Sequence, residues 1–199
     1  MTDDKSVNVV SFKTLTFISI LAGFLLIPFH EFGHVLGFWL TGHRAGMSYA
    51  RAYLIPDGPE PFLGVLGGSS LPIILAAFSV LMIYRRWNLS VFYPLAILGS
   101  FERLAHYLAG WLPSDEYNLA RMMGWGTHTF KYIFLSIEIL LLLLVAVSFF
   151  RNRIKFKQAA LIVLIPVVCF CVLSGFGLFV IERFIFSEQF KIQFGHIRL

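Results

Sequence analysis

Five long apolar runs, at residues 15–40, 63–84, 91–112, 132–150 and 159–181, constrain this chain more than any other feature. A helix rising 1.5 Å per residue needs about 20 apolar residues to cross a hydrocarbon core roughly 30 Å thick, and each run meets that length. Inside lipid a segment must satisfy its own backbone hydrogen bonds, which a helix does and an isolated strand does not. The expected fold is therefore all-α, a polytopic membrane helix bundle of about five transmembrane helices. Aromatic anchors such as Trp39, Tyr84, Trp87 and Tyr132 stand near the ends of the runs, where an interface would hold them. Only 14% of the 199 residues are charged, whereas a soluble domain carries about a quarter, and they collect between the runs. That distribution excludes a soluble globule or a disordered chain. The first run is too long for a cleavable signal and carries ionisable residues where a signal is plain, so it is expected to be retained.

The charge pattern speaks to topology. The formal net charge is +5, but no basic patch is interleaved with aromatics in a polar segment, so nucleic acid is not expected as a partner. With five crossings, the amino-terminal segment and the turns 85–90 and 151–158 share one side, where Lys and Arg are packed closely. The other side carries nearly as many, dispersed, and this contrast favours a cytoplasmic amino terminus. Cys169 and Cys171 are separated by one residue, a spacing that suits neither a stapling disulfide nor a four-ligand metal site. The connections are short, and residues 1–199 read as one membrane-embedded domain.

The chemistry concentrates in His30-Glu31-Phe32-Gly33-His34, an H-E-x-x-H string inside the first run. Helical residues four apart lie one above the other, so His30 and His34 offer two imidazoles to one zinc ion, while Glu31 reaches a water held there. Three ionisable groups within one turn of a membrane helix cost several kcal/mol unless they face a polar cavity or an ion. The bland alternative is a polar cluster satisfied by helix contacts. A catalytic zinc site takes three protein ligands. The third run travels in the same direction as the first, so Asp115, just after the helix-breaking Pro113, returns to the same side and is the expected third ligand. Glu116, Asp57 and His106 are its rivals.

Glu102, Arg103 and His106 lie midway along the third run and are too costly to point at lipid. They read either as an internal network that holds helices together or as part of the site, with Glu102 or His106 orienting a zinc ligand through a hydrogen bond or serving as an alternative ligand. Glu138 reads as a hydrogen-bonding group at a helix interface. Gly33 and Gly37 make a small-residue face on the first run, and Gly64, Gly67 and Gly68 make another at the start of the second, each permitting close helix approach, while Pro28 removes one helical hydrogen bond just before His30. Residues 47–55, which include Tyr49, alternate in part before a Pro-Asp-Gly-Pro turn. A short strand-like hairpin is expected there, whose edge either pairs with an unwound substrate or only covers the helix ends.

His30 to His34 within the first membrane helix, a small-residue-rich second run and the later Leu112-Pro113-Ser114-Asp115 segment together resemble the site-2 protease family of intramembrane zinc metalloproteases. The resemblance covers residues 15–125 as a protease-like core and leaves 131–181 as accessory helices. It implies a zinc metalloendopeptidase acting on membrane-protein or peptide substrates within the lipid bilayer, with Zn2+ held by His30, His34 and Asp115 and with Glu31 as general base. It also implies substrate contacts from Gly67, Gly68 and Ser69 on the second helix. Two positions depart from the family pattern: Asp115 is followed by Glu116 where the family has Gly, and Gly67 to Pro72 lacks the family's Asn. Two other readings compete. One is a non-catalytic metal-binding membrane protein of the same fold; the other is a small proton- or ion-coupled transporter using Glu31, His34, Glu102 and His106 as a relay.

Overall fold

The computed structural model describes residues 10–108, 114–177 and 180–182, with the backbone of 192–194. Its elements are α1 (Phe12–Leu40), β1 (Arg44–Met47), β2 (Ala52–Ile55), α2 (Phe62–Tyr84), α3 (Leu89–Leu108), α4 (Ser114–Met122), α5 (Thr129–Arg151), α6 (Phe156–Phe176) and β3 (Ile192–Phe194). Among the described residues, α1, α2, α5 and α6 are long and apolar enough to cross a membrane. Their outward faces carry exposed large hydrophobics such as Phe17, Ile74, Leu140, Leu143, Leu164 and Val172, as a lipid-facing surface requires.

The third run differs from the other four in composition. α3 has 20 residues, enough for about 30 Å, but it is not among the helices apolar enough to cross unaided. Glu102, Arg103 and His106 lower its hydropathy. The bundle resolves the conflict by packing α3 against α1, α2, α5 and α6 at once, so that Glu102 and Arg103 are buried in protein. α3 stops at Leu108 and a separate amphipathic helix, α4, begins at Ser114; the expected break at Pro113 falls outside the described residues.

Helix ends follow local rules. The side chain of Ser11 caps α1 by accepting from the Thr14 amide at 3.4 Å, and the Ser11 amide donates to Ser90 Oγ at 2.7 Å, which sets the starts of α1 and α3 side by side. α1 closes with Gly42 at φ +78° and with the amides of Gly42 and His43 donating back to Trp39 and Phe38. The end of the bundle near these helix starts is an apolar core of Leu15, Val80, Ile83, Tyr93, Ile97 and Val145 with their neighbours. There Tyr93 Oη is 3.0 Å from Ser148 Oγ and accepts from Asn152 Nδ2 at 3.1 Å, joining α3 to α5.

The strand-like stretch 47–55 divides: Met47 ends β1, residues 48–51 make the turn, and β2 follows. The sheet has the order β2-β1-β3, antiparallel throughout, with Met47 opposite both Ala52 and Ile192. Its inner face packs on α1 through Ala45, Met47 and Leu54 against Val35 and Phe38.

The glycines draw α1 and α2 into backbone contact. A Cβ at Gly33 would run into the Gly67 carbonyl, one at Gly67 into the Gly33 carbonyl, and one at Gly37 into the Leu63 carbonyl. Gly67→Ala is therefore expected to cost about 1–3 kcal/mol through overpacking, seen as a lower thermal midpoint in detergent. Gly58→Ala, where an added Cβ meets nothing within 4 Å, is expected to leave the midpoint unchanged.

Candidate metal centre

The polar end of the bundle is built where α1, α3 and α4 converge. His30 and His34 occupy successive turns of α1, are 7% and 9% exposed, and bring their Nε2 atoms to 3.2 Å. Asp115 enters from the first turn of α4, where a carboxylate also suits the positive end of the helix dipole. Its Oδ2 is 3.2 Å from His30 Nε2 and 3.4 Å from His34 Nε2. Tetrahedral zinc with ligands at about 2.0–2.1 Å sets neighbouring donor atoms about 3.3 Å apart, so this near-equilateral triangle has the size the ion needs. Two imidazoles and one carboxylate also make a donor set that zinc favours, and among the described residues this is the one such group close enough to hold a metal.

Both rings are held by their other nitrogen. His34 Nδ1–H donates to the Gly64 carbonyl at 2.8 Å, which leaves the Nε2 lone pair facing the triangle. That bond depends on the glycine seam, because Gly68 lies directly beneath the His34 ring and a Cβ there would overlap it. His30 Nδ1 is 3.4 Å from Glu102 Oε1, the arrangement of a carboxylate that orients a metal-binding histidine.

Arg103 ties the cluster together. Its Nη2 donates to Ser69 Oγ at 2.8 Å and to Asp115 Oδ2 at 2.9 Å, which uses both hydrogens. The near-equal distances of 3.2 and 3.3 Å from Nη2 to the two ring nitrogens of His30 put it off the axis of either lone pair. On its other edge Nε is 3.2 Å from Glu116 Oε1. Burial alone would raise the Asp115 carboxyl, but hydrogen bonds to both histidines and the Arg103 charge hold it well below the usual carboxylate range. Glu116 goes the other way, raised by burial against the opposing pull of Arg103. Glu102, Glu116 and Glu138 are each 1% exposed. With Glu31 and Asp115, five carboxyl groups thus surround one guanidinium. A desolvated cluster of that composition calls for further positive charge, as a metal ion or as protons.

Glu31 projects beside the triangle and lies against the backbone N–H of Ala52. Ladder parity explains why that amide is available. The Ser48 amide donates to the Arg51 carbonyl at 2.8 Å, so the next hydrogen-bonded pair is Gly46 with Tyr53, and the main-chain groups of Ala52 and Leu54 point away from β1. Glu31 therefore sits at the outer edge of β2, which no other strand covers among the described residues.

The other expected residues are distributed around this centre. Asp57 is exposed on the 56–61 connection, His106 is half-buried one turn beyond Glu102, and Glu116 pairs with Arg103; none of them belongs to the triangle. Gly67 and Gly68 serve the α1–α2 contact, and Ser69 holds Arg103. Tyr49 is buried in the hairpin turn with its hydroxyl donating to the Phe24 carbonyl at 2.8 Å. Sequence reasoning passed over Arg103 as a site residue, although a cation beside Glu102 in a membrane stretch was a readable signal. The Gly64 carbonyl and the Ala52 amide carry no side-chain signal at all.

No protein-family model matches the chain, and comparisons with curated proteins and with solved structures return no match. Detergent-purified protein is expected to hold about one zinc per chain, with His30→Ala and Asp115→Ala losing it while remaining helical by circular dichroism. Glu102→Leu is expected to weaken zinc binding about 10–100-fold by freeing the His30 ring.

Proposed function

We propose that the protein is an intramembrane zinc metalloprotease that hydrolyses peptide bonds of membrane-protein or peptide substrates. The observation that carries this reading is the zinc-sized triangle of His30, His34 and Asp115 with the Glu31 carboxylate beside it at a free strand edge. Zinc bound there would supply Lewis acidity, polarising the scissile carbonyl and making a water nucleophilic near neutral pH. His30, His34 and Asp115 hold the ion. Glu31 accepts the proton of the attacking water and passes it to the leaving amine. The outward main-chain groups of Leu54 and the outward carbonyl of Ala52, whose amide Glu31 already occupies, accept an unwound substrate as an added strand, which satisfies its backbone and brings a carbonyl towards Glu31. In this reading the amino terminus is cytoplasmic, as the arginine- and lysine-rich turns favour.

Glu31→Gln separates this function from its rivals. With casein as an extended test substrate, the variant is expected to lose at least about 100-fold in cleavage, the contribution of a general base, while keeping one zinc per chain. Undiminished cleavage by the variant, or a wild type free of metal after gentle purification, would overturn the reading. A metal-binding protein without turnover would show zinc and no cleavage in wild type. The second reading, a proton- or ion-coupled transporter, is favoured by Glu138, a carboxyl group buried on α5. It requires Glu138→Gln to change flux in proteoliposomes with no cleavage product formed.

A further inference from the structure

The hairpin that carries the β2 edge has strands of four residues, too short to hold a fixed position by their own pairing. Its placement comes from anchors at the turn and along β1. Pro28 has no amide hydrogen, so the Phe24 carbonyl four residues earlier loses its helical donor, and the Tyr49 hydroxyl takes that place at 2.8 Å. Gly177, just past α6, lies against the Tyr49 ring, where a Cβ would overlap it. Glu182 then closes on the turn with both carboxylate oxygens: Oε1 accepts from Ser48 Oγ at 2.8 Å and Oε2 from the Ala50 amide at 3.1 Å. Ten residues later β3 pairs with β1 along Ala45 to Met47, on the edge opposite β2.

Apart from the Phe24 carbonyl and the packing on α1, each of these anchors comes from α6 or the segment that follows it. Among the described residues β2 has no strand on its outer edge, so beyond its own packing on α1 through Leu54 its position relative to Glu31 depends on the turn and β1. We infer that Glu182 is a positioning residue of the proposed protease: by clamping the 48–51 turn it holds the substrate-receiving edge of β2 in place beside Glu31, without touching substrate or metal. The inference rests on the proteolytic reading, and it makes the segment after α6 part of the working site.

The test uses the full chain with Glu182→Ala and Glu182→Gln, measuring zinc content, amide hydrogen exchange across 44–55, and casein cleavage with KM and kcat separated. Glu182→Ala is expected to keep one zinc per chain, to speed exchange of the hairpin amides about tenfold, and to raise KM by about the same factor with kcat little changed, the scale of a lost hydrogen bond to a charged group. Glu182→Gln keeps one acceptor for the Ala50 amide and can donate to Ser48, so it is expected to recover much of both effects. Unchanged hairpin exchange and KM in Glu182→Ala would overturn the inference, as would loss of zinc together with hairpin protection, which would mark a general role in folding. A wild type that cuts no casein would count against the protease reading, and with it the role of the edge in substrate binding. Hairpin exchange would still report separately whether Glu182 clamps the turn.

Discussion

One carboxylate oxygen, Asp115 Oδ2, joins the parts of this molecule that lipid alone would not assemble. It stands within hydrogen-bond range of His30 and His34 from α1 and of Arg103 from α3, while its own backbone begins α4. Association between apolar faces in hydrocarbon gains little from the hydrophobic effect, so packing and buried polar contacts have to specify the arrangement. Neutralising these charges inside the protein requires α3 to lie at the centre, and that requirement orders the helices around it. Glu102 and Glu116 extend the same logic by approaching His30 and Arg103.

The triangle also depends on how near α1 and α2 approach. The Gly64 carbonyl reaches His34 only because glycines at 33, 37, 64, 67 and 68 let the two backbones touch. Small residues here determine the orientation of an imidazole, and through it the direction of a lone pair. At the other side of α1, Pro28 performs a related service by releasing the Phe24 carbonyl to Tyr49. Helix-perturbing residues thus act as attachment points for the hairpin and for the His30, His34 and Asp115 cluster.

Much of this was legible from local pattern. Four of the five runs became helices of spanning length and apolarity, and the fifth became α3, a helix whose charged half is covered by its neighbours. The hairpin was expected, but its strands were read as one continuous stretch because Ser48 to Arg51 keep partial alternation while forming a turn. Direction of travel, the suitability of a carboxylate for zinc, the helix break at Pro113 and the family resemblance favour Asp115 over Asp57, Glu116 and His106, and it is the residue the structure brings against both histidines. α6, grouped with the accessory helices, leads through Gly177 and Glu182 into the anchoring of the hairpin. Nothing in its apolar run announces that role.

Run length and the four-residue spacing of His30 and His34 are properties of neighbouring residues, and a helix converts them directly into a segment of spanning length and a pair of adjoining imidazoles. The rest required the chain to be folded. Which carboxylate completes the triangle, which backbone carbonyl aims His34, and which strand edge faces Glu31 all depend on contacts between segments far apart in the chain. Several of those contacts are made by main-chain groups, which every residue carries, so no side-chain pattern can mark them in advance.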